Sequence, residues 1–249
     1  MVDEEPGSEG GPLFFVTDLD HPELEPDDAH HLTRVLRIRS GDRLLVSDGR
    51  GAWRPCRLAG ALLETTGPIT KVQRAAPVLT VAFALVKGQR PELVAQKLTE
   101  LGVDTIVPFV AERSVVRWDA DRAATNARRL NRVAREAAMQ SRRCWLPDVA
   151  HVHTFTAVAE LPGAARAERG GAPLSLATPT VLVGPEGGWS EAERACDLPV
   201  IGLGAHVLRA ETAAIAAGVA LAGLRAGLWA PSNRPQRAGT VISDYGSWH

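Results

Sequence analysis

The residues of this 249-residue sequence best suited to chemistry lie in its last third, in two glycine-rich stretches with charged neighbours. The first is Gly184-Pro185-Glu186-Gly187-Gly188; the second is Gly204-Ala205-His206-Val207-Leu208-Arg209, followed closely by Glu211. Glycine lets a ligand approach the backbone, so that main-chain amides can bind it. A charged side chain beside such a loop can then hold or move a proton. Apolar runs precede both stretches, TVLVG (180–184) and VIGL (200–203), and read as buried strands. Loops at the carboxyl ends of neighbouring parallel strands are where open α/β sheets bind cofactors. Taken singly, each loop is also an ordinary turn.

Familiar nucleotide motifs do not account for the pair. Gly202-x-Gly204 opens like a dinucleotide fingerprint, but Val207 stands at the third glycine position and no βαβ unit starts the chain. GPEGG lacks the Gly-Lys-Ser/Thr of a phosphate loop, which disfavours nucleotide hydrolysis. Cys56, Cys144 and Cys196 lie far apart without a CxxC pair, which argues against a disulfide framework and a zinc site. The adjacent His30 and His31 fit a helix start better than a metal ligand set, so no metal is expected.

The elements that must position these loops divide into two textures. After FFV (14–16) comes a helix-like run from Pro26 with Leu32, Val35, Leu36 and Ile38 at helical spacing. Short strands at 42–47, 52–58, 69–74 and 78–86 follow, punctuated by Gly and Pro. Beyond residue 76 the pattern becomes strand, helix (91–101, with Leu93, Val94, Leu98 and Leu101 inward), strand (DTIVPF), which implies a parallel sheet. A long helix at 120–141 carries Leu130, Val133, Ala134, Ala137 and Ala138 inward; Arg128, Arg129, Arg132 and Arg135 are expected in solvent. Residues 162–178 read as a loop holding at most one weak strand. Ser190 is a candidate N-cap for SEAERAC, and a helix from near Glu211 is rich in Ala and Gly.

Composition sets the class. With 45% apolar and 23% charged residues and no run of about 20 apolar residues, disordered and membrane-spanning classes are excluded. The acidic start Met1-Val2-Asp3-Glu4-Glu5 is unlike an export signal, so the expected compartment is the cytoplasm. A formal charge of -1 hides an asymmetry: ten of the 29 acids fall between Asp3 and Asp28, leaving 28 bases against 19 acids, or +9, in the remainder. All bases except Lys71, Lys87 and Lys97 are arginine, the side chain suited to phosphate and base contacts. Clusters at 34–57 and 113–143 suit an extended polyanion, although a GC-rich genome also produces arginine.

Four ordered motifs carry a family resemblance: LVKGQRPELVAQKLTELGVDTIVPF (85–109), EAAMQSRR with LPDV (136–149), VLVGPEGGWSEAE (181–193) and LGAHVLRAETAAIAA (203–217). Together with FFV and DDAHHLTRVLRIRSGDRLLVSDG, they resemble the ribosomal RNA small subunit methyltransferase E family of the SPOUT superfamily. The resemblance implies an α/β fold in which a PUA-like RNA-binding β domain (13–76) precedes a SPOUT domain (77–230) with a deep trefoil knot. An acidic leader (1–12) and a tail (231–249) would flank them. It further implies a cytoplasmic homodimer that transfers methyl from S-adenosyl-L-methionine to N3 of a uridine in 16S ribosomal RNA of the small subunit. Alternatives are a different RNA target or an RNA-binding protein without activity.

On that resemblance the cofactor would be held by Leu182, Gly184, Glu186, Gly187 and Gly188 from one loop and Leu203, Gly204, Val207 and Leu208 from the other. Arg209 is the candidate for the uracil oxygens or a phosphate, with a packing or dimer salt bridge as its alternative. Glu211 would orient it or serve as base, its alternative being simple helix N-terminal electrostatics. Arg34, Arg37, Arg39, Arg113, Gln140, Arg142 and Arg143 are the candidates for gripping RNA, whose uridine must be unpaired or extruded to expose N3.

Overall fold

The structure, a computed structural model, describes residues 6, 7, 10–88 and 90–229. Expectations for the tail 231–249 and most of the leader therefore lie outside the described residues.

Residues 13–71 carry a five-stranded sheet. Strands β1 (Leu13–Phe15), β2 (Arg43–Ser47), β3 (Ala52–Ala59) and β4 (Leu62–Thr65) are neighbours in that order, and β5 (Thr70–Lys71) pairs with β3. Side chains alternate across a strand. Phe14, Leu44 and Val46 therefore point to one core with Leu32, Cys56 and Leu58, while Leu13, Phe15 and Leu45 point the other way. Helix α1 (Pro26–His30) starts with Pro and has Asp27 and Asp28 in its first turn, both favourable at a helix N-terminus. It continues into a π-helical turn, His31–Val35. That wider turn breaks the 3.6-residue register, so of the expected inward set Leu32 is buried whereas Val35 and Leu36 are exposed. The expected strand 69–74 shrinks to two residues, and β4 was not foreseen.

From residue 80 the chain lays down β6 (Thr80–Ala84), α2 (Arg90–Glu100), β7 (Thr105–Val110), α3 (Ala120–Gln140), β8 (Asp148–Val149), β9 (His153–Thr154) and α4 (Phe155–Ala159). Then come β10 (Ala164–Pro173), β11 (Thr180–Val183), α5 (Glu191–Ala195), β12 (Val200–Gly202) and α6 (Ala210–Arg225). All pairings are parallel, in the order β12-β10-β11-β6-β7-β8, with β9 also on β7. Both faces are covered, as parallel sheets require. Val81, Phe83, Val181 and Val183 meet Val94, Leu98, Leu130, Ala214 and Leu221 from α2, α3 and α6. Ala82, Ala84, Phe109 and Leu182 meet Val158 and Trp189 on the other face. Leu93, expected inward, is exposed on α2.

Strand β10 corrects the expected loop at 162–178. It lies between β11 and β12, with a break of register in which Ile201 faces both Ala167 and Ala172. Gly171 at the break is required by contact, since a Cβ there would sit 2.4 Å from the Ile201 carbonyl carbon, whereas Gly170 beside it is suited by its φ of 82°.

Two ion-pair centres bind the parts together. Arg135 of α3 was expected in solvent, but its Nη1 and Nη2 donate to the Asp28 carboxylate at 3.1 and 2.6 Å, and its guanidinium covers the Phe15 ring. The hydrogen bonds it donates to Asp28 hold the Arg135 pKa above its ordinary value despite partial burial. Buried Asp104 pairs with Arg74, Arg143 and Arg225, which come from the inter-sheet linker, the exit of α3 and the last turn of α6.

No helix among the described residues is long and apolar enough to cross a membrane.

Candidate active site

Strand β11 ends at Val183 and the chain turns at once. The Gly188 amide donates to the Pro185 carbonyl at 2.8 Å, and Gly188 closes the turn with φ of 71°, a left-handed conformation that glycine adopts at no steric cost. Ser190 then starts α5 as a capping box. Its hydroxyl accepts from the Glu193 amide at 3.2 Å, and its own amide donates to Glu193 Oε2 at 2.8 Å. The other oxygen of this buried carboxylate accepts from the Glu112 amide at 2.8 Å, tying the loop to the segment that leaves β7. Trp189 lies beneath, stacked on Phe109 with centroids 6.2 Å apart, and donates through Nε1 to the Ala167 carbonyl at 3.0 Å. A Cβ on Gly184 would come within 2.8 Å of its indole, so the loop can lie this close to the tryptophan only with glycine there.

The second loop leaves β12 and ends at Arg209, the N-cap of α6. Between the two loops is a cavity of 310 Å³. Gly184, Glu186 and Gly188 line one wall, and Leu203, Gly204, Val207 and Leu208 line another. The size lies at the small end of ligand pockets. Seven of the nine residues expected at the cofactor thus share one cavity. Leu182 does not: it is fully buried in the core beside Trp189. Gly187 faces away from the wall, where its carbonyl accepts from Arg113 Nη1 at 3.4 Å.

Other wall residues were not foreseen. Glu168 and Arg169 reach the cavity from the register break of β10, and Arg194 from α5. Arg194 Nε donates to Glu168 at 2.9 Å. His206 also lines the wall. Glu168 and Arg169 belong to the segment expected as a loop, whereas His206 lies within the second glycine stretch itself.

Arg90 was missed as well. It opens α2, six residues beyond β6, the strand beside β11. Nη1 donates to Glu186 Oε1 at 2.7 Å and Nε lies 3.5 Å from Glu211 Oε1. Glu211 is only 13% exposed, and its Oε2 is buried without a hydrogen-bond partner among the described residues. Arg209 is exposed; its carbonyl accepts from the Ala213 amide at 2.8 Å, while its guanidinium makes no hydrogen bond or ion pair among the described residues. The available signal for Arg90 was charge: one cation and two carboxylates, each just past the end of a strand.

The expected RNA contacts separate into three places. Arg113 stands at the first glycine loop. Arg34, Arg37 and Arg39 are exposed beyond α1, and Gln140 and Arg142 line an 820 Å³ groove with His31, Leu36 and Ile38 from that same region. Arg143 is a correction: at 11% exposure it donates to Asp104 at 3.0 Å and to the Val103 carbonyl at 2.6 Å, so its charge is spent inside the protein. Among the described residues no group of three His, Cys, Asp or Glu side chains is placed to hold a metal ion.

Comparison with known proteins places this geometry. The model of a family described as an RNA methyltransferase domain matches residues 74–222, and that of an RNA methyltransferase PUA domain matches residues 24–62. The ribosomal RNA small subunit methyltransferase E of Bacillus subtilis is 30% identical over 232 residues, covering 82% of this chain and 88% of that protein. The chain belongs to the ribosomal RNA small subunit methyltransferase E family. A further member, from Synechocystis, is 33% identical over 74% of this chain and 67% of its own length. Among solved structures, a probable rRNA-methyltransferase from Porphyromonas gingivalis superposes with a TM-score of 0.74 at 29% identity, covering 88% of this chain and 100% of that one. A methyltransferase E from Neisseria gonorrhoeae, solved bound to S-adenosyl methionine, gives 0.68 at 26% identity, covering 86% and 98%. The family thus has an α/β methyltransferase sheet and an N-terminal PUA-type unit, as the sequence resemblance implied.

Proposed function

We propose that this chain transfers the methyl group of S-adenosyl-L-methionine to N3 of a uridine in 16S ribosomal RNA. The observation that carries the reading is the cavity between two glycine loops at the carboxyl ends of parallel strands, in a chain of this family. The residues present fit the cofactor: Gly184 allows close approach over Trp189, and the second loop leaves open space at Gly204. Gly184, Gly188, Leu203, Gly204 and Leu208 would hold it mainly through the backbone, with Glu168 and Glu186 able to meet its positive charges. When bound, the cofactor supplies a methyl group already activated on a sulfonium sulfur, so the protein's work is positioning and proton handling.

N3 of uridine must lose its proton as it attacks. Arg209, free among the described residues, donates to the uracil oxygens and stabilises the developing anion. Glu211, whose Oε2 lacks a partner, is the nearest candidate to take the proton. The first sheet and linker (13–76) act as the RNA-binding unit and residues 77–230 as the methyltransferase unit. Arg34, Arg37, Arg39, Gln140 and Arg142 grip RNA along the groove between them, and Arg113 beside the cavity. The trefoil knot and homodimer implied by the resemblance belong to the same proposal.

The test is incubation with methyl-labelled cofactor and unmodified small subunits, then digestion of the RNA and mass spectrometry of the labelled nucleoside. Label in N3-methyluridine is the expected result. Label in another nucleoside would overturn the target and leave the transfer chemistry standing; no label with bound cofactor would overturn the RNA assignment.

A further inference from the structure

The first glycine loop has a weakness: Gly184, Gly187 and Gly188 give its backbone more freedom to lose on binding than any other residue type would. Its C-terminal end is anchored by Trp189 on the Ala167 carbonyl and by the Glu193 carboxylate, but between Gly184 and Gly188 its tethers are the turn bond at Gly188, the contact of Arg113 with the Gly187 carbonyl and the side chain of Glu186. That carboxylate is 57% exposed and would swing freely without a partner. Its partner comes from a different strand connection. Arg90, fixed at the first position of α2 and 35% exposed, donates to Glu186 from one side and faces Glu211 from the other. One guanidinium therefore joins the exit of β6, the loop after β11 and the first turn of α6, three segments far apart in sequence that meet only in the folded sheet. A planar guanidinium, with donors splayed from Nε and the terminal nitrogens, suits two carboxylates at once in a way an ammonium does not.

We propose that Arg90 is a positioning residue for the methyl-donor site. It clamps Glu186 to Glu211 so that the glycine loop is held in its binding conformation before the cofactor arrives, and the ordering cost is met in folding instead of in binding. This rests on the cofactor reading given above, although the clamp itself belongs to the free protein.

Two measurements on the full chain separate the ideas. Amide exchange without cofactor should be faster at Gly187, Gly188 and Trp189 in Arg90→Ala, by about two- to fivefold, as expected for losing a partly exposed pair. Calorimetric titration with S-adenosylmethionine should show a Kd weaker by about two- to fivefold, with KM raised more than kcat is lowered. Arg90→Lys should restore part of the Glu186 contact and part of the affinity. Glu186→Gln should reproduce the faster exchange from the exposed side, and this variant decides the matter if Arg90→Ala does not fold. Unchanged exchange and unchanged Kd in these variants would overturn the clamp. A wild-type protein that binds no cofactor would overturn the cofactor reading, while the exchange arm would still judge Arg90.

Discussion

Removing the Arg135 guanidinium should loosen the N-terminal sheet from the methyltransferase sheet. The pair it forms with Asp28 is bidentate, at 3.1 and 2.6 Å, and Nη2 also donates to the Phe15 carbonyl at 3.3 Å. Asp28 is 7% exposed and Arg135 24%, so the replacement Arg135→Ala leaves a carboxylate that water reaches poorly. Breaking a fully buried pair costs about 3 to 5 kcal/mol. Partial exposure of the arginine lowers the expectation to about 2 to 3 kcal/mol, which includes the packing of its guanidinium on Phe15. Replacing both partners, Asp28→Asn with Arg135→Ala, should cost less than the sum of the single changes, with a coupling of about 1.5 kcal/mol or more. Urea unfolding of the four proteins, followed by tryptophan fluorescence and circular dichroism, measures each term. A coupling below about 0.5 kcal/mol, the value of an ordinary surface pair, would refute the view that this contact locks the two sheets together.

Asp104→Asn should be worse still, by about 3 to 5 kcal/mol, because Arg143 and Arg225 would keep their buried charges without a counter-ion; thermal and urea unfolding check it. Gly184→Ala should fold but bind S-adenosylmethionine more weakly, since a methyl 2.8 Å from the Trp189 ring must displace the loop; titration calorimetry with tryptophan fluorescence checks both halves. Arg209→Ala should lower methyl transfer by about 100-fold or more while leaving cofactor affinity nearly intact, as single-turnover assays with unmodified small subunits would reveal. Of the three thiols, exposed Cys196 should react with a disulfide reagent at neutral pH, with Cys56 and Cys144 reacting only after unfolding. Burial also pushes the Cys56 thiol up, so raising the pH through the ordinary thiol range should not expose it as a second fast group.

The glycine loops were legible because strand and loop are adjacent in sequence: TVLV followed by GPEGG announces both the element and its exit. The N-cap at Ser190 is local in the same way; its completion as a capping box by Glu193 is a finding of the structure. What stayed hidden depends on partners far along the chain. Arg135 reads as a solvated helix charge and Arg143 as an RNA contact until Asp28 and Asp104, 107 and 39 residues away, are placed against them. Strand β10 reads as no more than one weak strand in a loop for a different reason. Its small side chains, Ala164, Ala165 and Ala167, fit a crowded position between two strands, and its register break destroys any period. The cavity wall formed by Glu168 and Arg169 was lost with it. Arg90 was unread because its two carboxylates converge only when β6 and β11 lie side by side and α6 packs above them.

The central claim is that the methyl donor lies between the two glycine loops, and crystals of the full chain grown with S-adenosylmethionine test it directly. The account predicts cofactor density in the cavity bounded by residues 184–188 and 203–208, with main-chain amides of those loops as its hydrogen-bond donors and its methyl carbon toward Arg209. Cofactor density bound elsewhere on the chain, with that cavity closed, would contradict it.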